Sequence, residues 1–303
     1  MSTRDRYSRA VRALGVVLSV LLSITAVSAE APRPLRVVTY NVLHGGMSSS
    51  LRGDTRRLDE RLAMATTRLR ALDPDIVGLQ EASIGRGRGD VAQRFADALG
   101  FHHVFAPSRI PIGRWLAALV STVVGMEEGP AILSRWPITS WDRLAIARCG
   151  EVYERVLLCA VVATPWGPLD VCSTHLDGSE CQAESLLGLV RERAPGRPLV
   201  LMGDLNATEA SLGIARLVAE SGFVDTFRRA NPAADGVTVW QEIHTEGRMA
   251  RRRVDYVLVR PENARVVTSR VVLDTPGRAA DGSILWPSDH YAVLSEIGPL
   301  HAR

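Results

Sequence analysis

Six segments of this sequence, most of them at the end of an apolar run, carry residues able to ligate a metal or move a proton. They are Thr39-Tyr40-Asn41, Gln80-Glu81, Ser173-Thr174-His175, Gly203-Asp204-Leu205-Asn206, Arg253-Val254-Asp255-Tyr256 and Ser288-Asp289-His290. Taken singly, an Asn or Asp after a strand is usually a turn or cap residue, and a lone His usually a structural hydrogen-bonding group. Six together are harder to dismiss, because strand ends are where α/β sheets open their binding crevices. Glu81 and Asp289, helped by Asn41, offer the hard oxygen donors that suit Mg²⁺ or a similar ion, such as Mn²⁺ or Ca²⁺. Asp204 and Asn206, two apart on an extended chain, point to the same side. One can orient or deprotonate a water while the other donates to a phosphoryl oxygen. His175 and His290 can donate hydrogen bonds to charge developing on phosphorus oxygens. A carboxylate such as Asp255 beside His290 would raise the imidazole pKa and hold the ring in place. The chemistry these types support is phosphate-ester hydrolysis by an activated water and a polarising metal.

The elements that must position these groups alternate short apolar runs with amphipathic stretches, an α/β pattern. Strands are predicted over 35–42, 75–81, 102–106, 131–134, 155–163, 169–175, 199–205, 254–259, 265–273 and 291–297. A helix over 55–72 places Leu58, Leu62, Ala65, Leu69 and Leu72 on one face, with Asp54 available as its cap. Further helices fit 90–99, 179–193 and 209–220. Fewer helices than strands argues against a singly wound parallel sheet and for two packed sheets covered by helices. Gly203 is expected to let the backbone approach the site closely. Without repeats or a long linker, one catalytic domain over 34–303 is expected.

The chain has 303 residues, 46% of them hydrophobic and 23% charged, which excludes disordered, collagen-like and small disulfide-scaffold classes. Residues 1–29 carry Arg4, Arg6, Arg9 and Arg12, then an apolar stretch and small residues at Val27-Ser28-Ala29, the order of a secretory signal. Its apolar run is shorter than a membrane-spanning helix requires. A secreted, extracellular or cell-envelope location is therefore expected. Without that segment, 32 basic and 32 acidic residues remain, so the overall positive charge is no argument for a nucleic-acid partner. Every basic residue is Arg; there is no Lys. The four cysteines flank a predicted hairpin turned at Pro165-Trp166-Gly167, which favours a Cys149–Cys181 disulfide in an exported protein. Cys159 and Cys172 lie within the two strands, where a one-residue register change decides whether they meet.

The ordered set TYN, LQE, STHL, GDLN, RRVDY and SDH resembles the endonuclease/exonuclease/phosphatase superfamily, over roughly Arg36 to Ile297. The resemblance implies a four-layer sandwich, two mixed β-sheets flanked by helices, with the site at one edge. It implies Asn41, Glu81 and Asp289 around the metal and Asp204 and Asn206 at the attacking water. It further implies that His175 stabilises charge or protonates the leaving group, and that the Asp255–His290 pair sits on the phosphate. His44 and Arg155 are candidate substrate contacts, and Glu127 or Glu128 a candidate support for His175. Pro130 stands where many members have Asn, which removes any contact from that amide.

The expected substrate is a phosphodiester, in nucleic acid or a phospholipid, with small phosphate esters as the alternative; no obligate protein partner is evident. Arg86, Arg88, Arg248, Arg251, Arg252 and Arg253 could line a nucleic-acid groove. The apolar stretch from Ile110 to Gly125, too short to span a bilayer, is either a helix packed on the sandwich or a peripheral membrane contact. A catalytically inactive binding module is the reading from a different class. It is disfavoured because Glu81, Asp204 and His290 are all retained.

Overall fold

Short β-branched runs that alternate with amphipathic stretches build two mixed sheets in this protein. The computed structural model describes residues 33–43, 57–85, 89–109, 126–193, 195–260 and 264–299. The expected signal segment, Asp54, His44, Arg86, Arg88 and the stretch from Ile110 to Gly125 lie outside the described residues.

The first sheet comprises β1 (Leu35–Asn41), β2 (Ile76–Gly85), β3 (Gly89–Asp90), β4 (His102–Phe105), β5 (Met126–Ser134), and also β12 (Ala264–Val272) and β15 (Ala292–Pro299). Its order is β12-β15-β1-β2-β5-β4, with β3 against β2. The second comprises β6 (Ile138–Ala145), β7 (Val156–Thr164), β8 (Gly167–His175), β9 (Leu199–Asp204), β10 (Val224–Asp225) and β11 (Asp255–Val259), in the order β10-β11-β9-β8-β7-β6. A short pair, β13 (Gly277–Arg278) and β14 (Ile284–Leu285), stands apart. Five helices are described: α1 (Leu58–Leu72), α2 (Val91–Leu99), α3 (Glu180–Arg191), α4 (Leu212–Ser221) and α5 (Thr226–Ala230).

Three apolar layers hold this together. Leu62, Leu69 and Phe95 of α1 and α2 pack on Val38, Leu79 and Leu133 of the first sheet. Between the sheets lie Val37, Ile76 and Ile132 against Leu158, Val171 and Met202. Leu186, Leu187 and Leu217 of α3 and α4 cover the far side of the second sheet at Leu157, Leu201 and Leu258. The result is the four-layer sandwich that the resemblance implies.

Polar bridges also cross the interior near the site. Gln80 Nε2 donates to Ser173 Oγ (3.1 Å), and Ser173 Oγ donates to the Leu79 carbonyl (3.1 Å). These tie β2 to β8 in register, where an unpartnered amide would be costly.

Every predicted strand and helix exists, with shifts at the ends. The fourth helix starts at Leu212 rather than 209 because Ser211 Oγ caps it, accepting from Ile214 N–H, while Glu209 is drawn to Arg228 and Arg253. Strand β6 is unpredicted. It is an edge strand whose side chains are mostly exposed or half-buried, so no period-2 apolar pattern marks it. Both cysteine pairs form disulfides, Cys149–Cys181 and Cys159–Cys172. Cys159 and Cys172 are direct cross-strand partners of β7 and β8, which resolves the register question.

Candidate active site

Strand polarity brings the six chemical segments to one edge. Strands β1 and β2 run parallel, and their pairing ends at Asn41 opposite Gln80, just before Glu81. Antiparallel β15 starts beside them, just after Asp289 and His290. In the second sheet, β8 and β9 run parallel and place His175 opposite Asp204, while antiparallel β11 places Asp255 opposite Asp204. His175, Asp204 and Asp255 thus lie in one row across three neighbouring strands.

Local distortions aim the remaining groups. The register of β2 with β5 slips between Leu79 and Ala82, and Glu81 in that bulge has φ 57°. A left-handed non-glycine residue is uncommon, and bulges re-aim side chains next to functional clefts. Asn206 follows β9 with φ 52°, and its N–H donates to Asp204 Oδ1 (2.8 Å). The need for glycine at 203 has another cause than the expected closeness to the site. A Cβ there would meet the Thr174 carbonyl oxygen of β8 at 2.6 Å.

A cleft of about 600 Å³ opens at this edge, lined by Glu81, His175, Asp204, Asn206, Asp289 and His290 together with Trp240, Arg251 and Arg252. The groups converge on Asp204 Oδ2, which accepts from Asn41 Nδ2 (3.0 Å) and lies 3.5 Å from His175 Nε2 and 3.6 Å from His290 Nε2. Asn41 Nδ2 also donates to Glu81 Oε1 (3.1 Å), while its Oδ1 accepts from Leu43 N–H (3.0 Å). His290 Nδ1 donates to Asp255 Oδ2 at 2.9 Å, with both side chains buried. Asp289 accepts at Oδ2 from the Trp240 indole (3.1 Å) and at Oδ1 from Ser288 Oγ (3.3 Å).

These surroundings set the charges. Burial opposes a proton charge on His290, yet Asp255, Asp204 and Asp289 outweigh it and hold its pKa well above the usual histidine range. His175 goes the other way: burial first, then Arg155 and His290, push its pKa well down. Arg155 Nη1 lies 3.2 Å from His175 Nδ1, and a guanidinium can only donate. On the other side of the ring Nε2 lies 3.0 Å from Asn206 Nδ2, which also donates to the Leu176 carbonyl (2.9 Å), so the neutral imidazole is held from both sides beside Asp204. Burial, reinforced by Asp255, lifts Asp204 to about 7, and burial with neighbouring Glu81 lifts Asp289 to about 6.

The donor set fits a hard divalent cation. Glu81 and Asp289 crowd one corner of the cleft closely enough for Glu81 to disfavour charge on Asp289, the repulsion a cation relieves. Asn41 braces Glu81, and its Oδ1 keeps a second lone pair. A second acidic group, Asp204, Asp255 and His290, has ligand-capable atoms within 4.8 Å of one another. There, however, His290 Nδ1 is committed to Asp255 and the ring is held in its charged form, which offers a metal no lone pair.

Arg155, a candidate substrate contact, has its Nη1 3.2 Å from His175 Nδ1 and 3.8 Å from Glu128 Oε1, so of Glu127 and Glu128 it is Glu128 that reaches toward His175 through Arg155. Arg253 is not a groove residue: it is buried, paired with Glu209 and Asp225, and its guanidinium lies over the Tyr256 and Phe227 rings. Arg248 pairs with Asp274 at 2.9 Å.

Two positions were missed. Trp240 belongs to no motif. Arg61 of α1, fully buried, donates to the carbonyls of Val42 (3.3 Å), Leu43 (2.9 Å) and Pro287 (3.1 Å), clamping the ends of the Asn41 and Asp289 segments together. A signal for Arg61 existed: it is a charged residue on the apolar stripe of a helix whose other members are core leucines.

The model of the Endonuclease/Exonuclease/phosphatase family matches residues 38–290. Among solved structures, an endonuclease/exonuclease/phosphatase from Beutenbergia cavernae is 26% identical, with 89% of this chain and 73% of that one covered at a TM-score of 0.64. A family protein from Bacteroides thetaiotaomicron shares 19% identity, covering 88% and 98%, at 0.69. A mannosyl-6-phosphatase from the same species shares 20%, covering 87% and 99%, at 0.67. No curated protein matches the sequence. The chain belongs to the endonuclease/exonuclease/phosphatase family, whose members are metal-dependent phosphoester hydrolases.

Proposed function

We propose that this protein is a secreted phosphodiesterase that hydrolyses nucleic acid in the presence of a divalent cation. The observation that carries the reading is the convergence of Asn41, His175 and His290 on Asp204 Oδ2 beside the Glu81–Asp289 pair. Asp204, with its pKa near neutrality, is matched to accept a proton from an attacking water. Asn206, on the left-handed turn beside it, gives one Nδ2 hydrogen to the Leu176 carbonyl, and its other would turn from His175 Nε2 to a phosphoryl oxygen. Held charged by Asp255, His290 presents Nε2–H to the negative charge that builds on phosphorus oxygens. His175, being neutral, is unsuited to give a leaving group its proton. The acid for an alkoxide leaving group is therefore His290, and such an acid is most useful when the substrate is a diester. Glu81 and Asp289, with Asn41 alongside, would hold Mg²⁺, or Mn²⁺ or Ca²⁺, which polarises a phosphoryl oxygen when bound. Two disulfides support an exported protein, and no helix among the described residues is long and apolar enough to cross a membrane.

The test sets nicking of supercoiled plasmid against release of phosphocholine from sphingomyelin, each with Mg²⁺ and with EDTA. Nicking that EDTA abolishes is the expected result. Sphingomyelin cleaved while plasmid stays intact would overturn the nucleic-acid reading in favour of the phospholipid one.

A further inference from the structure

We infer that Trp240, Arg251 and Arg252 form a specificity subsite that stacks an aromatic base and holds the phosphate next to the one being cleaved. The inference deepens the proposed phosphodiesterase reading and rests on it for the position of the scissile phosphate.

Trp240 is 55% exposed, unusual for so large an apolar side chain, yet it lines the catalytic cleft. It is also fixed. Its Nε1–H is spent on Asp289 Oδ2 (3.1 Å), and its backbone belongs to a segment stitched on both sides. Thr238 and Val239 N–H donate to the Arg252 carbonyl (2.8 and 3.0 Å), and Arg251 N–H donates to the Val239 carbonyl (2.8 Å). On the other side Gln241 N–H donates to the Asp289 carbonyl and Tyr291 N–H to the Thr238 carbonyl, both at 2.8 Å. An indole held rigidly beside Asp289 loses little entropy when a ring stacks on it. Met249, 38% exposed on the same wall, adds a polarisable contact.

The charges on this wall select the ligand. Arg251 and Arg252 are exposed and line the cleft, each tied to a backbone carbonyl, that of Ala250 (3.1 Å) and that of Asn206 (2.9 Å), rather than to a carboxylate. Two guanidinium groups lining the same cleft as the indole favour a phosphate and repel a cation. A lone exposed Trp would also suit a quaternary ammonium by cation–π attraction. The paired arginines turn the site away from choline and toward a nucleotide, in which an aromatic ring and a second phosphate occur together.

The test pairs hydrolysis with binding in the full-length protein. With Mg²⁺, kcat/KM is measured for the p-nitrophenyl ester of thymidine 5′-phosphate, for methyl p-nitrophenyl phosphate and for p-nitrophenylphosphocholine. Binding of thymidine 3′,5′-bisphosphate is followed by calorimetry. The wild type is expected to prefer the thymidine ester to the methyl ester. Trp240→Ala should cut that preference by about 5- to 150-fold, the worth of one stacked base, and weaken the bisphosphate similarly, with Trp240→Phe recovering part of both. Arg251→Gln should weaken the bisphosphate and flatten its salt dependence by about one unit of slope.

Equal losses on the thymidine and methyl esters would reduce Trp240 to a brace for Asp289 and overturn the subsite. A preference for the phosphocholine ester would overturn it as well. If no ester is hydrolysed while the bisphosphate still binds through Trp240, the phosphodiesterase reading falls and the subsite stands.

Discussion

Replacing Asp255 with Asn probes the charge on His290 while changing the shape of the site least. Asp255 Oδ2 accepts from His290 Nδ1 at 2.9 Å, and both side chains are buried. Burial is the largest influence on His290 and works against its charge, so the imidazolium depends on its carboxylate neighbours, with Asp255 first among them. Losing a charge-assisted hydrogen bond of about 1.5–3 kcal/mol corresponds to roughly 10- to 150-fold in kcat. If the general acid is lost with it, the effect rises to about 10²–10⁴-fold. The assay is kcat on bis-p-nitrophenyl phosphate with Mg²⁺, beside imidazole ¹⁵N shifts at pH 8. The wild-type His290 ring should be doubly protonated and the Asp255→Asn ring neutral, with near-ultraviolet circular dichroism unchanged. A variant that keeps a doubly protonated His290 and loses less than about 3-fold in rate would refute the assigned role.

Three further outcomes follow from the same structure. Asp204 and Asp289 have folded-state pKa values of about 7 and about 6, above the ordinary 3.8, so the folded, metal-free protein binds more protons than the unfolded chain. Stability should therefore fall as pH rises from the ordinary carboxylate range to neutrality, and Mg²⁺ should raise Tm more at pH 8 than at pH 5; equal gains would contradict the placement of the cation. Arg61→Ala should leave three carbonyls at the site without their donor and cost about 3 kcal/mol or more in urea unfolding, whereas a cost under about 1 kcal/mol would show the clamp to be idle. The pair Cys149→Ser and Cys181→Ser, which opens a bridge between residues 32 apart, should lose roughly 3–4 kcal/mol, read as a lower urea midpoint; no change would mean that the α3 docking alone holds that segment.

What the sequence made legible was what local pattern controls. Apolar runs ending in Asn41, Glu81, His175 and Asp204, and one beginning after His290, marked strands, and these residues do meet at one edge. What it left hidden depends on contacts distant in the chain. Arg155 was expected at the substrate because it opens a strand, but its reach to His175 Nδ1 is visible only once β7 and β8 are paired. The low pKa of His175 follows from its burial first and from that contact second, not from the residue's type. Trp240 gains its position from backbone bonds to residues 251–252 and 289–291, which no local spacing encodes. Gly203 was read correctly as necessary but for the wrong neighbour, since the closeness it permits is to β8.

The most direct measurement is Mg²⁺-dependent hydrolysis of bis-p-nitrophenyl phosphate by the wild type and by Asp204→Asn, with melting temperature recorded for both. The account predicts turnover that EDTA abolishes and a loss of at least about 10³-fold in the variant, with a folded protein remaining. Turnover that survives EDTA, or a variant as active as the wild type, would contradict it.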